Sequence, residues 1–335
     1  MSFDELSSDV ISRGLCTGCG ACVAACPEDV LGHESGEPKL IGECTNCGVC
    51  TRVCPIYESS TTEMENFVFG RKEKPEEEFG VYKRALVARS TDEEILRKSQ
   101  DGGVVTTLLS SALESGLVDG AITSGTDPAN PWLPSPSVVT TRSEVVANAG
   151  TRYSLSPGLL ALKDCMKLGL GKIAFVGTPC QVQAVRRIQK FLPKYANMLT
   201  LTIGLFCMEN YSYDGLMIEK IQNELGLNLD DIEKINIKDK FLIRTKTGEI
   251  KEIPLEEAKK FVRPSCKNCS DFSAELADIS CGGVGLKNWT YTVNRTDIGV
   301  DAFDNAVEEG LLEVEPTENF QASWIICILV GFSWG

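Results

Sequence analysis

Eight cysteines stand in two runs of identical spacing. Cys16, Cys19, Cys22 and Cys26 follow C-x2-C-x2-C-x3-C with Pro27 next, and Cys44, Cys47, Cys50 and Cys54 repeat the pattern with Pro55 next. Thiolates at this spacing wrap a four-iron, four-sulfur cluster, and in two-run chains the fourth cysteine of each run ligates the other cluster. The spacing therefore assigns Cys16, Cys19, Cys22 and Cys54 to one 4Fe-4S cluster, and Cys44, Cys47, Cys50 and Cys26 to a second. Gly18, Gly20 and Gly48 let the backbone pass close to the sulfides and offer N–H donors to them. Four-cysteine zinc sites are the competing chemistry. Two full copies, each followed by proline, favour iron.

The rest of the composition narrows the field. Among 335 residues there are 15 cysteines and a single histidine, His33, which reads as a surface residue of a polar loop. One histidine removes zinc hydrolases, Ser–His and Cys–His catalysis and His-ligated haem. The formal charge of -14 argues against nucleic acid, whose phosphates need clustered Lys and Arg. Residues 1–12 are polar and acidic with no apolar core of a leader, so disulfides explain the cysteines poorly and a cytoplasmic site is expected. No apolar stretch approaches the ~20 residues that cross a bilayer. The apolar tail Trp324–Trp334 is too short to do so.

These ligands need elements to position them. Residues 1–60 read as a small domain built on the two runs, with little core of its own. Residues 61–80 read as a linker, with the charge-dense stretch Arg71–Glu78 as a solvated connector. From 81 to 335 the pattern becomes mixed α and β. Strands are expected at Arg84–Ser90, Lys172–Gly177 and Leu199–Phe206. Helices are expected at Asp92–Lys98, Val104–Ser115, Gln181–Phe191 and Tyr213–Leu225, and short strands between Ile235 and Ile253 around Thr247 and Gly248.

Seven cysteines remain outside the runs. Cys180 follows a strand, Cys207 ends one, and Cys266 and Cys269 form a C-x2-C after Pro264; such positions can converge on a further cluster, or each thiol can be plain core. Cys165, inside a helix, reads as core. Asp101, Gly102 and Gly103 open a helix, where free N–H groups suit a pyrophosphate, although from these residues alone a plain glycine turn is the favoured reading. Gly150, Thr151, Arg152 and Tyr153 offer a cation and an aromatic ring in one loop. Gly282–Gly285 allows close approach of a ligand to the backbone.

Taken together, these motifs give a resemblance. The residues that carry it are Ser99–Val104, Gly177–Gln181, Phe206 and Cys207, Pro264–Cys269, and Ala277–Ser280 running on through Gly282–Gly285. The chain resembles the beta subunits of coenzyme F420-reducing hydrogenases. Within that family it is most similar to the archaeal F420H2 dehydrogenase input subunits, which add the same ferredoxin-like N-terminus. The resemblance implies an α+β chain: an N-terminal bacterial-type two-cluster ferredoxin domain, then a mixed α/β domain that binds FAD, F420 and a third 4Fe-4S cluster. It implies Cys180, Cys207, Cys266 and Cys269 as ligands of the third cluster, with Cys281 either a neutral variation or a competing ligand. It also implies FAD contacts from Gln100, Asp101, Gly102, Gly103 and Val104, from Gly150, Thr151, Arg152 and Tyr153, from Gly177, Thr178 and Pro179, and from Gly282, Gly283 and Gly285.

The implied activity is oxidation of reduced F420 by hydride transfer to FAD, with single electrons leaving through the clusters to a quinone- or methanophenazine-reducing complex. The chain could then lie on the cytoplasmic membrane face through that complex. No protein acid or base is called for. The rival readings are an F420-linked beta subunit of a hydrogenase, formate dehydrogenase, sulfite reductase or glutamate synthase complex, and a ferredoxin-type carrier on a non-catalytic scaffold.

Overall fold

The computed structural model describes residues 1–70, 79–237 and 240–319. Arg71–Glu78, Cys327 and the apolar tail lie outside the described residues.

The repeated cysteine runs fold as a repeated structure. Each run turns through a left-handed glycine, Gly20 at φ 84° and Gly48 at φ 71°, into a one-turn helix, Ala21–Ala25 and Val49–Val53. Each helix ends at the fourth cysteine, Cys26 or Cys54, whose extended backbone precedes proline. Between the runs lies an antiparallel hairpin, β1 (Leu31–Glu34) and β2 (Glu37–Leu40). The helix Thr61–Phe69, within the expected linker, buries Met64 against Val182, Leu276 and Ala277. The first half of the connector is therefore fastened to the larger domain by apolar contact.

The larger domain contains β3 (Arg84–Ser90), β4 (Gly120–Thr126), β5 (Pro134–Val139), β6 (Ile173–Gly177), β7 (Leu199–Leu205), β8 (Ile232–Ile237), β9 (Lys240–Thr245), β10 (Ile250–Pro254), β11 (Ile279–Gly282), β12 (Thr290–Asn294) and β13 (Leu312–Glu315). Eight of them form one sheet in the order β13-β3-β12-β11-β7-β6-β4-β5. The four central strands β11, β7, β6 and β4 are parallel. Because β12 is antiparallel to both β11 and β3, β3 runs in the same direction as that block. Strands β8, β9 and β10 form a separate antiparallel sheet, with Gly248 at φ 87° in its second turn.

Alternation along the central strands feeds two cores. Ala121, Ala174, Leu201 and Ile279 pack against the helices Val104–Glu114 and Asp297–Glu308. Ile122, Phe175 and Leu199 pack on the other face against Ala184, Val185 and Ile188 of the helix Pro179–Phe191. Ala21, Ala24, Ala25 and Val53 of the cysteine-rich segment belong to that second core. The small domain thus shares its apolar burial with the large one. Among the described residues, no helix is long and apolar enough to cross a membrane.

Candidate functional site

A parallel sheet brings the loops that follow its strands to one edge, and ligands in such sheets bind outside the carboxyl ends. Here that edge collects the candidate cofactor loops. Arg152 docks on the end of β4, donating from Nε to Thr126 Oγ1 at 2.6 Å and from Nη1 to the carbonyl of Ser124 at 3.2 Å. Gly177, Thr178 and Pro179 leave β6, Cys207 follows β7, and Gly282–Gly285 leaves β11. The Gln100–Gly103 turn lies on the same edge, because the Gly102 N–H donates to Thr290 Oγ1, at the start of β12, at 3.1 Å.

Three groups of thiols are gathered. Cys44, Cys47 and Cys50 line one cavity together with Cys26, which crosses from the first run, and with Phe3, Pro27 and Val49. Cys16, Cys19, Cys22 and Cys54 act on one another: after burial, Cys54 and its neighbours are what raise the Cys19 and Cys22 thiols further. In the third group, burial pushes Cys180 up to about 12 and Cys207 well above the ordinary thiol range. The next charges acting on these two are Cys266 and Cys269, with Cys180 itself acting on Cys207. Burial likewise lifts Cys16 and Cys50 to about 11. Thiols held this high give up their protons only to a strong positive centre, which is what cluster iron supplies. Among the described residues no group of His, Cys, Asp or Glu side chains is drawn together tightly enough for a single metal ion.

Local chain geometry explains the third group. Thr178 caps the helix Pro179–Phe191, and its hydroxyl sits 3.4 Å from Cys180 Sγ. Cys266 lies within a short helical turn, Pro264–Asn268, and Cys269 caps its end. Asn210, which the sequence reading missed, donates from its backbone N–H to Cys266 Sγ at 3.3 Å and from its side-chain amide to Cys207 Sγ at 3.7 Å. Cys19 of the first run is in turn close enough to Cys180 for the two to perturb each other. Cys165 and Cys281 are buried in the two sheet cores.

The cofactor loops behave unevenly. Gly102 and Gly103 face protein: a Cβ at Gly102 would stand 2.7 Å from the Ala88 carbonyl, and one at Gly103 (φ 73°) 2.7 Å from Ile95. Val104 is core. Asp101 instead looks across to Gly283, where a Cβ would lie 2.1 Å from its carboxylate. Gln100 donates to the Ile235 carbonyl at 3.2 Å and pairs with Asn236, and Lys234 donates to the carbonyls of Ser99 at 2.8 Å and Gln100 at 3.0 Å. Burial lowers Lys234, with Asp101 opposing. The Tyr153 ring stacks edge-on against Phe241 at 5.6 Å, and Gly150, Thr151 and Arg152 lead into it. The small sheet β8–β10 thus closes over the carboxyl edge and adds Lys234 and Asn236, two polar residues on a strand without any motif. His33 is half-buried, with its Nε2 unpaired, and lies near Gly18 and Arg263 rather than on open surface.

Known proteins resemble this chain. Residues 85–163 and 170–319 match the N-terminal and C-terminal models of the coenzyme F420 hydrogenase/dehydrogenase beta subunit, and residues 14–64 match the 4Fe-4S dicluster domain. The beta subunit of the coenzyme F420 hydrogenase of Methanosarcina barkeri is 39% identical over 71% of this chain and 84% of its own length. One subunit of the F420H2 dehydrogenase of Methanosarcina mazei is 30% identical over 92% of this chain and 87% of its own. A chain in the solved F420-reducing [NiFe] hydrogenase complex of Methanosarcina barkeri superposes with a TM-score of 0.70 at 38% identity, covering 73% of this chain and 85% of that one. With both halves of the large domain matched and a dicluster domain in front, the chain belongs to the family of coenzyme F420 hydrogenase/dehydrogenase beta subunits.

Proposed function

We propose that the chain is an electron-input subunit that takes a hydride from reduced F420 at a bound FAD and passes single electrons through three 4Fe-4S clusters to a partner complex. One observation carries the reading. The third thiol group lies at the carboxyl edge beside the cofactor loops, while Cys180 within it faces Cys19 of the first run. The thiols thus form a chain of three cages leading away from the edge. FAD, when bound, supplies the conversion between a two-electron hydride and single electrons, and the clusters carry those electrons one at a time.

The residues at the edge suit such a cofactor. Arg152 and Lys234 bring positive charge, Gln100 and Asn236 bring amides, and Tyr153 brings a ring. Gly283 and Gly285 would hold the backbone side. Cys180, Cys207, Cys266 and Cys269 would hold the third cluster, with Asn210 donating to two of the sulfurs. Packing of β8–β10 over the edge would exclude water from the transfer. No side chain of the site needs to exchange a proton. The acceptor proposed is a respiratory complex that reduces quinone or methanophenazine, with the chain on the cytoplasmic side.

Full-length protein reconstituted without air tests this. It should carry FAD by its absorption spectrum and oxidise reduced F420 with a viologen dye as acceptor. NADH should be a poor donor, because no G-x-G-x-x-G follows a strand. Absence of bound flavin, or reduction by NADH as fast as by reduced F420, overturns the reading.

A further inference from the structure

We propose that Arg263 is an electrostatic link between the first and third thiol cages, raising the reduction potentials of the two clusters they hold while leaving the second cage untouched. This rests on the reading that the cages hold clusters.

The main chain of Arg263 belongs to the third cage. Its N–H donates to the Asn210 carbonyl at 2.9 Å, and its own carbonyl accepts from the Cys266 N–H at 3.0 Å. The side chain leaves that loop and enters the cysteine-rich segment. Nη2 donates to the carbonyls of Cys16 and Gly36, both at 3.4 Å. The fit is tight: a Cβ on Gly36 would fall 2.7 Å from Nη1, and one on Gly18 would fall 3.1 Å from Nη2. The guanidinium thus passes between two positions that carry no side chain. One residue touches the loop of Cys266 and the loop of Cys16 at once.

Its charge is felt at both. The guanidinium donates to the Cys16 carbonyl, and the backbone of the same residue holds the Cys266 loop, so the cation stands at the boundary of both cages. The cavity bordered by Cys26, Cys44, Cys47 and Cys50 is lined by Phe3, Pro27, Val30 and Val49, and Arg263 does not border it. Reducing a cluster adds one negative charge, so a fixed cation nearby favours the reduced form and raises the potential. Arginine keeps its proton under all working conditions, so the effect is permanent. The carboxylates opposing it are Glu37 at Cys16 and Glu209 at Cys266. The consequence is a shared shift: one cation at the domain boundary makes both centres easier to reduce.

The test is a redox titration of the full-length, reconstituted protein followed by EPR, with Arg263→Gln, Arg263→Lys and Glu37→Gln beside the parent. Iron content of the parent tests the cluster reading, and the pattern of shifts tests Arg263. Arg263→Gln should move two of three midpoints to more negative values and leave the third, identified by its loss in Cys47→Ala, in place. Arg263→Lys should return both toward the parent values. Glu37→Gln should raise the first centre alone. The proposal is overturned if Arg263→Gln at full iron content leaves all midpoints in place, moves only one, or moves all three together. Should Arg263→Gln lose iron, Arg263→Lys decides: full loading with both midpoints near the parent supports the link, and full loading with either displaced overturns it.

Discussion

Arg186 and Asp278 form an ion pair inside the protein, with Nη2 2.8 Å from Oδ1 and side chains only 7% and 5% exposed. Asp278 also accepts from the Thr202 N–H at 2.7 Å and the Thr296 hydroxyl at 2.7 Å, and Arg186 Nε donates to the Leu276 carbonyl at 2.7 Å. The pair joins the helix that carries Cys180 to the segment entering β11. Removing one partner leaves the other charge buried without a partner, which costs about 3–5 kcal/mol. Asp278→Ala should lower the denaturation midpoint accordingly and lose iron from the third cage. A change under about 1 kcal/mol would mean that water reaches the site and the pair is not buried as described.

The crossed ligand assignment gives a separate expectation. Cys26 lines the same cavity as Cys44, Cys47 and Cys50. Cys26→Ser should therefore damage the second cluster, and Cys54→Ser the first. The EPR signals of the two centres, assigned through Cys47→Ala and Cys16→Ala, distinguish them. Loss confined to the first centre in Cys26→Ser would reverse the assignment.

The third cage can be counted. Three four-iron clusters give about twelve iron per chain, and Cys207→Ala should bring this to about eight. Cys281→Ala should leave iron unchanged, since Cys281 lies within the sheet core at 3% exposure. Iron loss in Cys281→Ala would make it a competing ligand.

Cys165 supplies a pH dependence. It is fully buried, and burial first, then Asp164, lifts its thiol to about 12. An unfolded cysteine ionises near 8.5, so above that pH the unfolded state binds fewer protons than the folded one. The stability contributed by the neutral thiol is present below about pH 8.5 and is lost progressively as pH rises toward the folded value. Between pH 8 and 10 the parent should therefore lose stability faster than Cys165→Ala, measured by urea unfolding. Parallel slopes would show that Cys165 ionises normally in the folded chain.

How much of this was legible in sequence follows from what each signal depends on. The two cysteine runs could be read directly, because metal spacing is local along the chain. Cys180 and Cys207 at strand ends, and Cys266 and Cys269 in a C-x2-C loop, were legible only as a set. Their meeting depends on β6 and β7 being neighbours in a parallel sheet, which is a long-range fact. Asn210 and Arg263 each stand three residues from a cysteine of that set, but a lone polar residue carries no periodic signal. Lys234 and Asn236 come from a sheet that folds back over the edge, and nothing local announces this. The cysteine-rich segment was expected to have little core of its own, and it buries Phe3, Leu6, Val10, Val23 and Leu31 together. That expectation did not foresee that Ala21, Ala24, Ala25 and Val53 would join Phe175 and Ile188 in one core. A chain cut near residue 79 would expose that apolar face, so loss of flavin on truncation would not locate the flavin.

The flavin site is better tested by point changes, and the geometry selects which ones. Gly103→Val forces a side chain into a left-handed turn and against Ile95 at 2.7 Å. Strain of this kind costs about 1–3 kcal/mol, so flavin loss there would report damage to the helix start rather than to a cofactor contact. Asp101 is the cleaner probe. Its carboxylate meets Gly283 from the opposite loop and acts on Lys234 and Tyr153, so it stands where three cofactor loops come together. It is only partly buried. Asp101→Lys places a longer cation against Gly283 and repels Lys234. The variant should lose FAD while keeping full iron content and the EPR signals of all three clusters. Flavin retained at the parent level in Asp101→Lys would move the FAD site away from this edge. Iron lost together with flavin would mean that Asp101 supports the fold rather than the cofactor.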